Sequence, residues 1–302
     1  MCADTPAISA RLSVVVANYN TKDLLRACLV SMGERLRDPQ YDIMVVDNAS
    51  ADGSVEMLRS EFPGVRVFAL ENNRGFSTAN NIALREARGR YCMILNSDTE
   101  IVAGALERMC DYMDANPEVG VLGPQLLNTD GSIQLSCRRF PSYRTALFHR
   151  YSLLTRLFPR NRYSAQYLMT DAGHSRTMDV DWVSGACLLA RREALDRAGL
   201  LDEGFFMYAE DVDWCYRIKQ AGWRVVYLPD AQVRHHIGCS TRSLPFRMTY
   251  ARHRSMWRFY RKHYSKGLLI VDLATWLGIA TRCGITVIRQ ALVALARKER
   301  RP

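Results

Sequence analysis

The chain has 302 residues, 48% of them hydrophobic and 24% charged, so it can bury a full-sized core and is not compositionally disordered. Lys and Arg number 41 against 31 Asp and Glu, and the resulting net charge of +10 favours polyanions, nucleotide phosphates or anionic lipid surfaces without choosing among them. Nine cysteines stand singly with no C-x-x-C pair, which argues against a zinc ribbon or a disulfide-stapled secreted fold and for a reducing compartment. Residues 1–9 carry Asp4 and no basic stretch leading into an apolar run, so a signal peptide is not expected and cytosolic synthesis without export is.

The N-terminal part alternates short apolar runs with segments of helical period. Residues 11–17, 42–47, 65–70 and 91–95 read as strands; residues 21–37, 54–62 and 77–88 read as helices, with Thr21 and Ser77 as caps. This β-α-β-α-β-α-β order predicts a parallel, nucleotide-binding type of sheet, whose ligands sit beyond the carboxyl ends of the strands. The residues after those ends are amides and acids: Asn18-Tyr19-Asn20, Asp47-Asn48-Ala49-Ser50, Glu71-Asn72-Asn73-Arg74-Gly75 and Asn96-Ser97-Asp98. A single strand-end Asp or Asn is most simply a turn former, but four polar ends on one edge point to a site. No G-x-G-x-x-G or G-x-x-x-x-G-K-[ST] follows the first strand, which disfavours dinucleotide and P-loop phosphate cradles.

A further helix and strand span about residues 102–122, and then the rhythm breaks. Between Cys137 and Ser164 there is no Asp or Glu, while Arg138, Arg139, Arg144, Arg150, Arg156, Arg160 and Arg162 make a basic insertion. The block from 180 to 227 holds Trp182, a strand-like 187–190, a short helix from Arg192 and the acidic cluster Glu210-Asp211-Val212-Asp213. Acids in a first helical turn are favoured by the dipole alone, which is reason enough for Asp213. Asp211 differs, because the aromatic run 205–208 before it would seat its carboxylate at the mouth of an apolar cleft, where it can act as a general base. Asp47 and Asp98, at two strand ends, suit a base or ribose contact and a divalent cation; Mg²⁺ or Mn²⁺ takes few protein carboxylates when substrate phosphates complete its shell. His235 and His236 can place one nitrogen on a metal or phosphate, with a purely structural role as the alternative.

Residues 233–266 carry nine Arg and Lys, no acid, and interleaved Phe246, Tyr250, Trp257, Phe259 and Tyr260. Nucleic-acid binding would explain such a run, as would a membrane-surface face. The tail from 265 to 302 is apolar at helical spacing but broken by Asp272, Arg282 and Arg289, so interfacial attachment is expected rather than a spanning helix.

These residues resemble a known family, the GT-A fold glycosyltransferases of family 2, and within it the bacterial rhamnosyltransferase-like branch of cell-surface polysaccharide assembly. The likeness runs from about residue 12 to 241, on VVVANYN (14–20), VVDNASADGS (45–54), ENNRGFSTANNIALREARGRYCMILNSDTE (71–100), VSGACLLARREAL (183–195), FFMYAEDVDWCYRIKQAGW (205–223) and HHIGCS (235–240). It implies an α/β, Rossmann-like fold with a mainly parallel sheet flanked by helices and an amphipathic helical tail. Residues 1–123 would be the nucleotide-sugar half, 124–245 the acceptor and catalytic half, and 246–302 the membrane-associating tail.

The resemblance further implies an inverting transfer of L-rhamnose from dTDP-rhamnose onto a polyprenyl-diphosphate-linked saccharide for cell-wall, O-antigen or exopolysaccharide synthesis. Asp47 is similar to the carboxylate that recognises the base, with Asn18, Asn20, Asn73, Gly75, Asn80 and Asn96 about the nucleotide sugar. Asp98 resembles the last acid of the D-x-D element, whose first acid is here Asn96, and would hold Mg²⁺ or Mn²⁺ on the diphosphate. Asp211 aligns with the catalytic base. His235 matches the histidine that completes the metal or diphosphate site, with His236 competing, and Trp182, Met207, Tyr208 and Glu210 would face the acceptor. The expected place is the cytoplasmic face of the cell membrane, peripherally attached, with no nucleic acid as partner and self-association through the tail as an alternative to lipid. A UDP-sugar donor, a sugar nucleotidyltransferase and a nucleic-acid-binding protein are the competing readings; a nucleotidyltransferase would want a glycine-rich basic loop where this chain has Asn18-Tyr19-Asn20.

Overall fold

A computed structural model describes residues 8–142, 162–170, 173–236 and 245–299. Arg144, Arg150, Arg156 and Arg160 of the basic insertion, Arg242, and the Ile237-Gly238-Cys239-Ser240 segment lie outside the described residues.

The predicted opening is present: β1 (Ala10–Asn18), α1 (Lys22–Met32), β2 (Tyr41–Asp47), α2 (Ser54–Glu61), β3 (Arg66–Ala69), α3 (Phe76–Glu86) and β4 (Gly89–Asn96). The strands pair in parallel in the order β3-β2-β1-β4. Because helices cover both faces, each strand must be apolar throughout. On β1, Leu12, Val14 and Val16 enter one core layer while Val15 enters the opposite one. The helix expected over 21–37 is shorter, since Gly33 at φ 59° ends α1 and a 3₁₀ turn, Gly33–Leu36, follows. Neither expected cap caps: Thr21 sits at the N-cap but turns its hydroxyl to Asn18 and Ser97, and Ser77 lies inside α3, whose N-cap is Gly75.

The sheet does not divide near residue 123, which is inside β6. After β5 (Thr99–Ile101), α4 (Ala105–Ala115) and β6 (Val119–Leu127) come the short β7 (Ile133–Gln134), β8 (Cys137–Arg138), α5 (Arg162–Leu168), β9 (Met178–Asp179) and β10 (Trp182–Val183). Then β11 (Cys187–Arg191), α6 (Arg192–Ala198), α7 (Glu210–Gln220) and β12 (Arg224–His235) complete the body. The sheet continues β4-β11-β6-β12-β5, with β11 antiparallel to β4 and β6, and β12 parallel to β6. One sheet therefore carries the strand ends of the first half and the strands β11 and β12 that flank α7, whose first turn holds the acidic cluster.

The chain leaves the body through α8 (Pro245–His263) and α9 (Leu269–Glu299). The tail helix is continuous across Asp272, Arg282 and Arg289. Asp272 does not interrupt it, because its carboxylate faces α8 and accepts from Tyr260 Oη at 2.6 Å and Arg261 at 2.9 Å. With that charge satisfied internally, Leu269–Leu295 has the length and composition to cross a membrane, at mean hydropathy 1.3 with 6% of its apolar window buried.

Candidate active site

The carboxyl ends of β1, β2 and β4 meet in a bonded floor. Asn18 donates to Asp47 Oδ1 at 2.8 Å and accepts from Thr21 Oγ1 at 2.7 Å, and Thr21 is 2.7 Å from the Ser97 hydroxyl. Asp47 Oδ2 accepts from the Ser50 amide at 2.8 Å. Asp47 is thus 1% exposed and stitches two strand ends together, away from the cleft wall. Its neighbour Asn48 lies on the wall, donating to Gly75 O at 3.2 Å and accepting from the Arg74 amide at 2.7 Å. Asn20, at φ 52° and exposed, anchors the Ala51 amide at 2.8 Å rather than facing the cleft.

The cleft above this floor is lined by Asn18, Tyr19, Asn48, Asn73, Gly75, Phe76, Asn96 and Ser97 on one side, and by Phe206, Met207, Arg247 and Met248 on the other. Gly75 makes the junction. At φ +84° it lies where L side chains are strained, and a Cβ there would stand 2.6 Å from Phe206 O. That close approach lets the Phe76 amide donate to Phe206 O at 2.7 Å, tying the third strand end to the 205–208 run. Asn80 is fully buried on α3 and donates to Phe76 O at 2.9 Å, so it supports this junction from behind.

Asp98 is 2% exposed, yet its Oδ1 accepts no hydrogen bond. His235 Nε2 stands 3.3 Å from that oxygen. The Gln134 amide fixes the ring: its Nε2 donates to His235 O at 2.8 Å and Leu127 O at 3.3 Å, so its Oε1 accepts from His235 Nδ1–H at 3.0 Å. A neutral His235 therefore turns the lone pair of Nε2 toward a carboxylate oxygen that also lacks a donor. Two facing lone pairs could hold a cation, and the Gln134 contact would then orient the imidazole as an outer partner does. His236 points elsewhere, with Nε2 2.6 Å from Glu100 Oε1. Among the described residues no group of three or more His, Cys, Asp or Glu is placed so that it could hold a metal ion. Two protein ligands suit an oxygen-loving ion that keeps sites for phosphate oxygens.

Asp211 begins α7 and is half-buried. Its Oδ2 accepts from the Gly185 amide at 3.0 Å and its Oδ1 from the Val212 amide at 2.8 Å. Gly185 precedes Ala186, whose carbonyl accepts from the Asn96 amide at 2.9 Å, so Asp211 is joined through two residues to the end of β4. Burial raises its carboxyl above the ordinary range, against the two amides and the Arg138 cation, which favour the charged form. Glu210 is buried with an unpartnered Oε2, and burial together with the charges of Asp211 and Asp213 pushes it well up. Of the adjacent pair, Glu210 is raised further, since Asp211 has two backbone amides and Arg138 working for its charged form. Tyr208 and Ala209 lead in at φ 70° and 64°, left-handed geometry costing about 1–2 kcal/mol per residue. Arg252 lies over the Tyr208 ring at 4.7 Å, and Ser255 donates to Met207 O at 2.9 Å.

Trp182, expected to face the acceptor, is packed in the core. It is 8% exposed, donates to Arg139 O at 2.9 Å and has Arg138 over its ring at 5.2 Å. Sequence reasoning missed Arg247 and Met248 as cleft residues, because only the return of α8 over Phe206 brings them there; Arg247 sits 5.3 Å above that ring.

The comparisons with known proteins agree with this geometry. Residues 13–197 match the model of glycosyl transferase family 2. The chain is 32% identical over 265 residues to the N-acetylglucosaminyl-diphospho-decaprenol L-rhamnosyltransferase of Mycobacterium tuberculosis, covering 84% of this chain and 85% of that one. Among solved structures it is similar in fold to the mannosyltransferase PcManGT of Pyrobaculum calidifontis in complex with GDP-Man and Mn²⁺, at TM-score 0.58 and 18% identity over 100% of this chain and 80% of that one. S. aureus TarS 1-349 in complex with UDP aligns at TM-score 0.53 and 17% identity, over 88% of this chain and 70% of that one. A family model spanning more than half of the chain, a relative matched over most of both lengths and a GT-A-like sheet with its polar strand ends together place this chain in glycosyl transferase family 2, as a glycosyltransferase.

Proposed function

We propose that the protein transfers L-rhamnose, with inversion, from dTDP-rhamnose to a polyprenyl-diphosphate-linked N-acetylglucosamine-type saccharide. The observation that carries the reaction type is the carboxylate of Asp211, joined through Gly185 and Ala186 to the polar end of β4. Attack from the side opposite the leaving group needs one base; a double-displacement glycosidase needs two carboxylates with separate duties. The donor and acceptor follow the named activity of the mycobacterial relative.

In this reading the nucleotide occupies the cleft between Asn18, Asn48 and Asn73 on one wall and Phe206 and Arg247 on the other. Asp211 accepts the proton of the acceptor hydroxyl as its oxygen bonds to the anomeric carbon. The bond from that carbon to the diphosphate oxygen breaks, and its electron pair departs with the nucleoside diphosphate. Asp98 Oδ1 and His235 Nε2 would hold Mg²⁺ or Mn²⁺, which when bound neutralises the charge gathering on the diphosphate. Met207 and Tyr208 flank the acceptor entrance.

The basic aromatic segment does not favour nucleic acid as partner. Arg258 and Lys262 pair with Asp202 at 2.8 and 2.7 Å, and Arg261 with Asp272 at 2.9 Å, so these cations are spent inside the fold. Calorimetric titration with dTDP, UDP and GDP in the presence of Mn²⁺ tests the donor. We expect dTDP to bind at least about tenfold more tightly than the others, a gap of roughly 1.4 kcal/mol; equal or weaker binding than UDP would move the donor to a UDP-sugar.

Attachment to the cytoplasmic membrane surface through α9 is part of the proposal. Leu269, Ile270, Trp276 and Leu277 are exposed on it, and Ile285, Ile288 and Leu292 continue the apolar content. Deleting residues 265–302 should shift the protein from floating with anionic vesicles to remaining in the soluble fraction. A truncated protein that still floats would assign the exposed face of α9 to self-association.

A further inference from the structure

Lys262 belongs to no motif and does not line the cleft. Its ammonium lies 2.7 Å from Asp202 Oδ2 and 2.8 Å from Asp213 Oδ1. Those acids mark the two ends of the segment that contains Phe206, Met207, Tyr208, Glu210 and Asp211. Among the described residues Lys262 is the one cation paired with both: Arg258 reaches only Asp202, and Arg217 and His263 reach only Asp213.

We propose that Lys262 is a positioning residue for Asp211, closing the base of the 202–213 segment and holding it in the conformation that presents the Asp211 carboxylate. This rests on the reading of Asp211 as the base. Three observations converge on it. First, the segment is strained, with successive left-handed residues at Tyr208 and Ala209, and such geometry persists only where its surroundings over-determine it. Second, the acids are committed to the bridge: burial alone would raise both carboxyls, yet Lys262 with Arg258 at Asp202, and His263, Lys262 and Arg217 at Asp213, bring both below the ordinary range. The Asp213 side chain is fully buried and held by Lys262, Arg217 and the His263 ring. Third, the C-terminal end of α8 works in two directions, since Tyr260 and Arg261 hold Asp272 of α9 while Arg258, Lys262 and His263 hold the catalytic segment.

The test compares full-length Lys262→Met, Lys262→Arg and Asp272→Asn with the parent, the last loosening α9 without touching Asp202 or Asp213. Hydrogen exchange over residues 202–213 needs no substrate: Lys262→Met should speed it at least about tenfold, with the parental rate nearly restored in Lys262→Arg and kept in Asp272→Asn. In turnover with dTDP-rhamnose and the lipid-linked acceptor, kcat of Lys262→Met should fall roughly 10- to 100-fold, the scale of a small misplacement of a catalytic group. Unchanged exchange or kcat in Lys262→Met overturns the proposal, as does an equal defect in Asp272→Asn, or a joint loss of dTDP affinity and thermal midpoint that Lys262→Arg does not repair. Asp211→Asn assayed alongside separates the failures: if it turns over normally the base reading has failed, and if it alone is inactive only the positioning role has.

Discussion

Replacing Asp211 by Asn is expected to lower kcat about 10²- to 10⁴-fold, the range supplied by a positioned general base, while dTDP affinity stays at the parental value. The nucleotide cleft does not use this side chain, so binding and chemistry should separate cleanly. Both carboxylate oxygens accept a backbone N–H, from Gly185 and Val212. An amide must turn its NH₂ toward one of those donors, so the variant should also lose about 1–3 kcal/mol of stability, visible as a lower melting temperature. Asp211→Glu keeps the charge with a longer reach and should retain more turnover than Asn. The pH profile gives an independent sign. Burial raises the folded Asp211 carboxyl, so the inactive protonated form persists to higher pH than for a free Asp near 3.9. The acid limb of kcat should therefore lie above the ordinary Asp range and be missing from the residual activity of the Asn variant. Parental turnover by Asp211→Asn would refute the assignment.

Much of this arrangement is legible from local pattern. Strands buried on both faces are continuous apolar runs, which is why 11–17 and 91–95 lie inside β1 and β4. The polar strand ends follow from the topology, and the helical start at Glu210 from its clustered acids. What local pattern does not hold is the partner of each polar group. Asp47 and Asn48 are equally plausible on a cleft wall in sequence, and only the link to Asn18, 29 residues away, turns Asp47 inward. The two histidines were ambiguous for the same reason. Successive side chains on a strand alternate, so once β12 pairs with β5 and sets His235 opposite Thr99, only one imidazole can face Asp98. Trp182 looked available for stacking because its cover, Arg138, sits 44 residues earlier. Asp272 reads as a break in an apolar tail until Tyr260 and Arg261 are seen to neutralise it.

Removing the Asp98 carboxylate should abolish the effect of divalent metal on nucleotide binding. In the parent, dTDP affinity should rise on adding Mn²⁺; in Asp98→Ala it should be the same with and without the ion, at the metal-free parental level. Turnover should fall at least about 10³-fold, because charge on the departing diphosphate then lacks its principal stabiliser and one donor of this kind alone contributes about 10²–10³. Asp98 Oδ1 is a buried oxygen with no donor, 3.3 Å from His235 Nε2, while Nδ1 of the same ring is taken up by Gln134 Oε1. His235→Ala should weaken the Mn²⁺ effect without eliminating it, since phosphate oxygens and Asp98 remain. Gln134→Leu, which removes only the contact that orients the ring, should lower metal affinity about 10- to 100-fold, the usual loss for an outer partner of a ligating histidine. His236→Ala should leave the Mn²⁺ dependence intact, because that ring is turned to Glu100. An Asp98→Ala protein that still gains dTDP affinity from Mn²⁺ would place the ion elsewhere in the cleft; one in which His236→Ala loses the gain and His235→Ala keeps it would reverse the order of the two histidines.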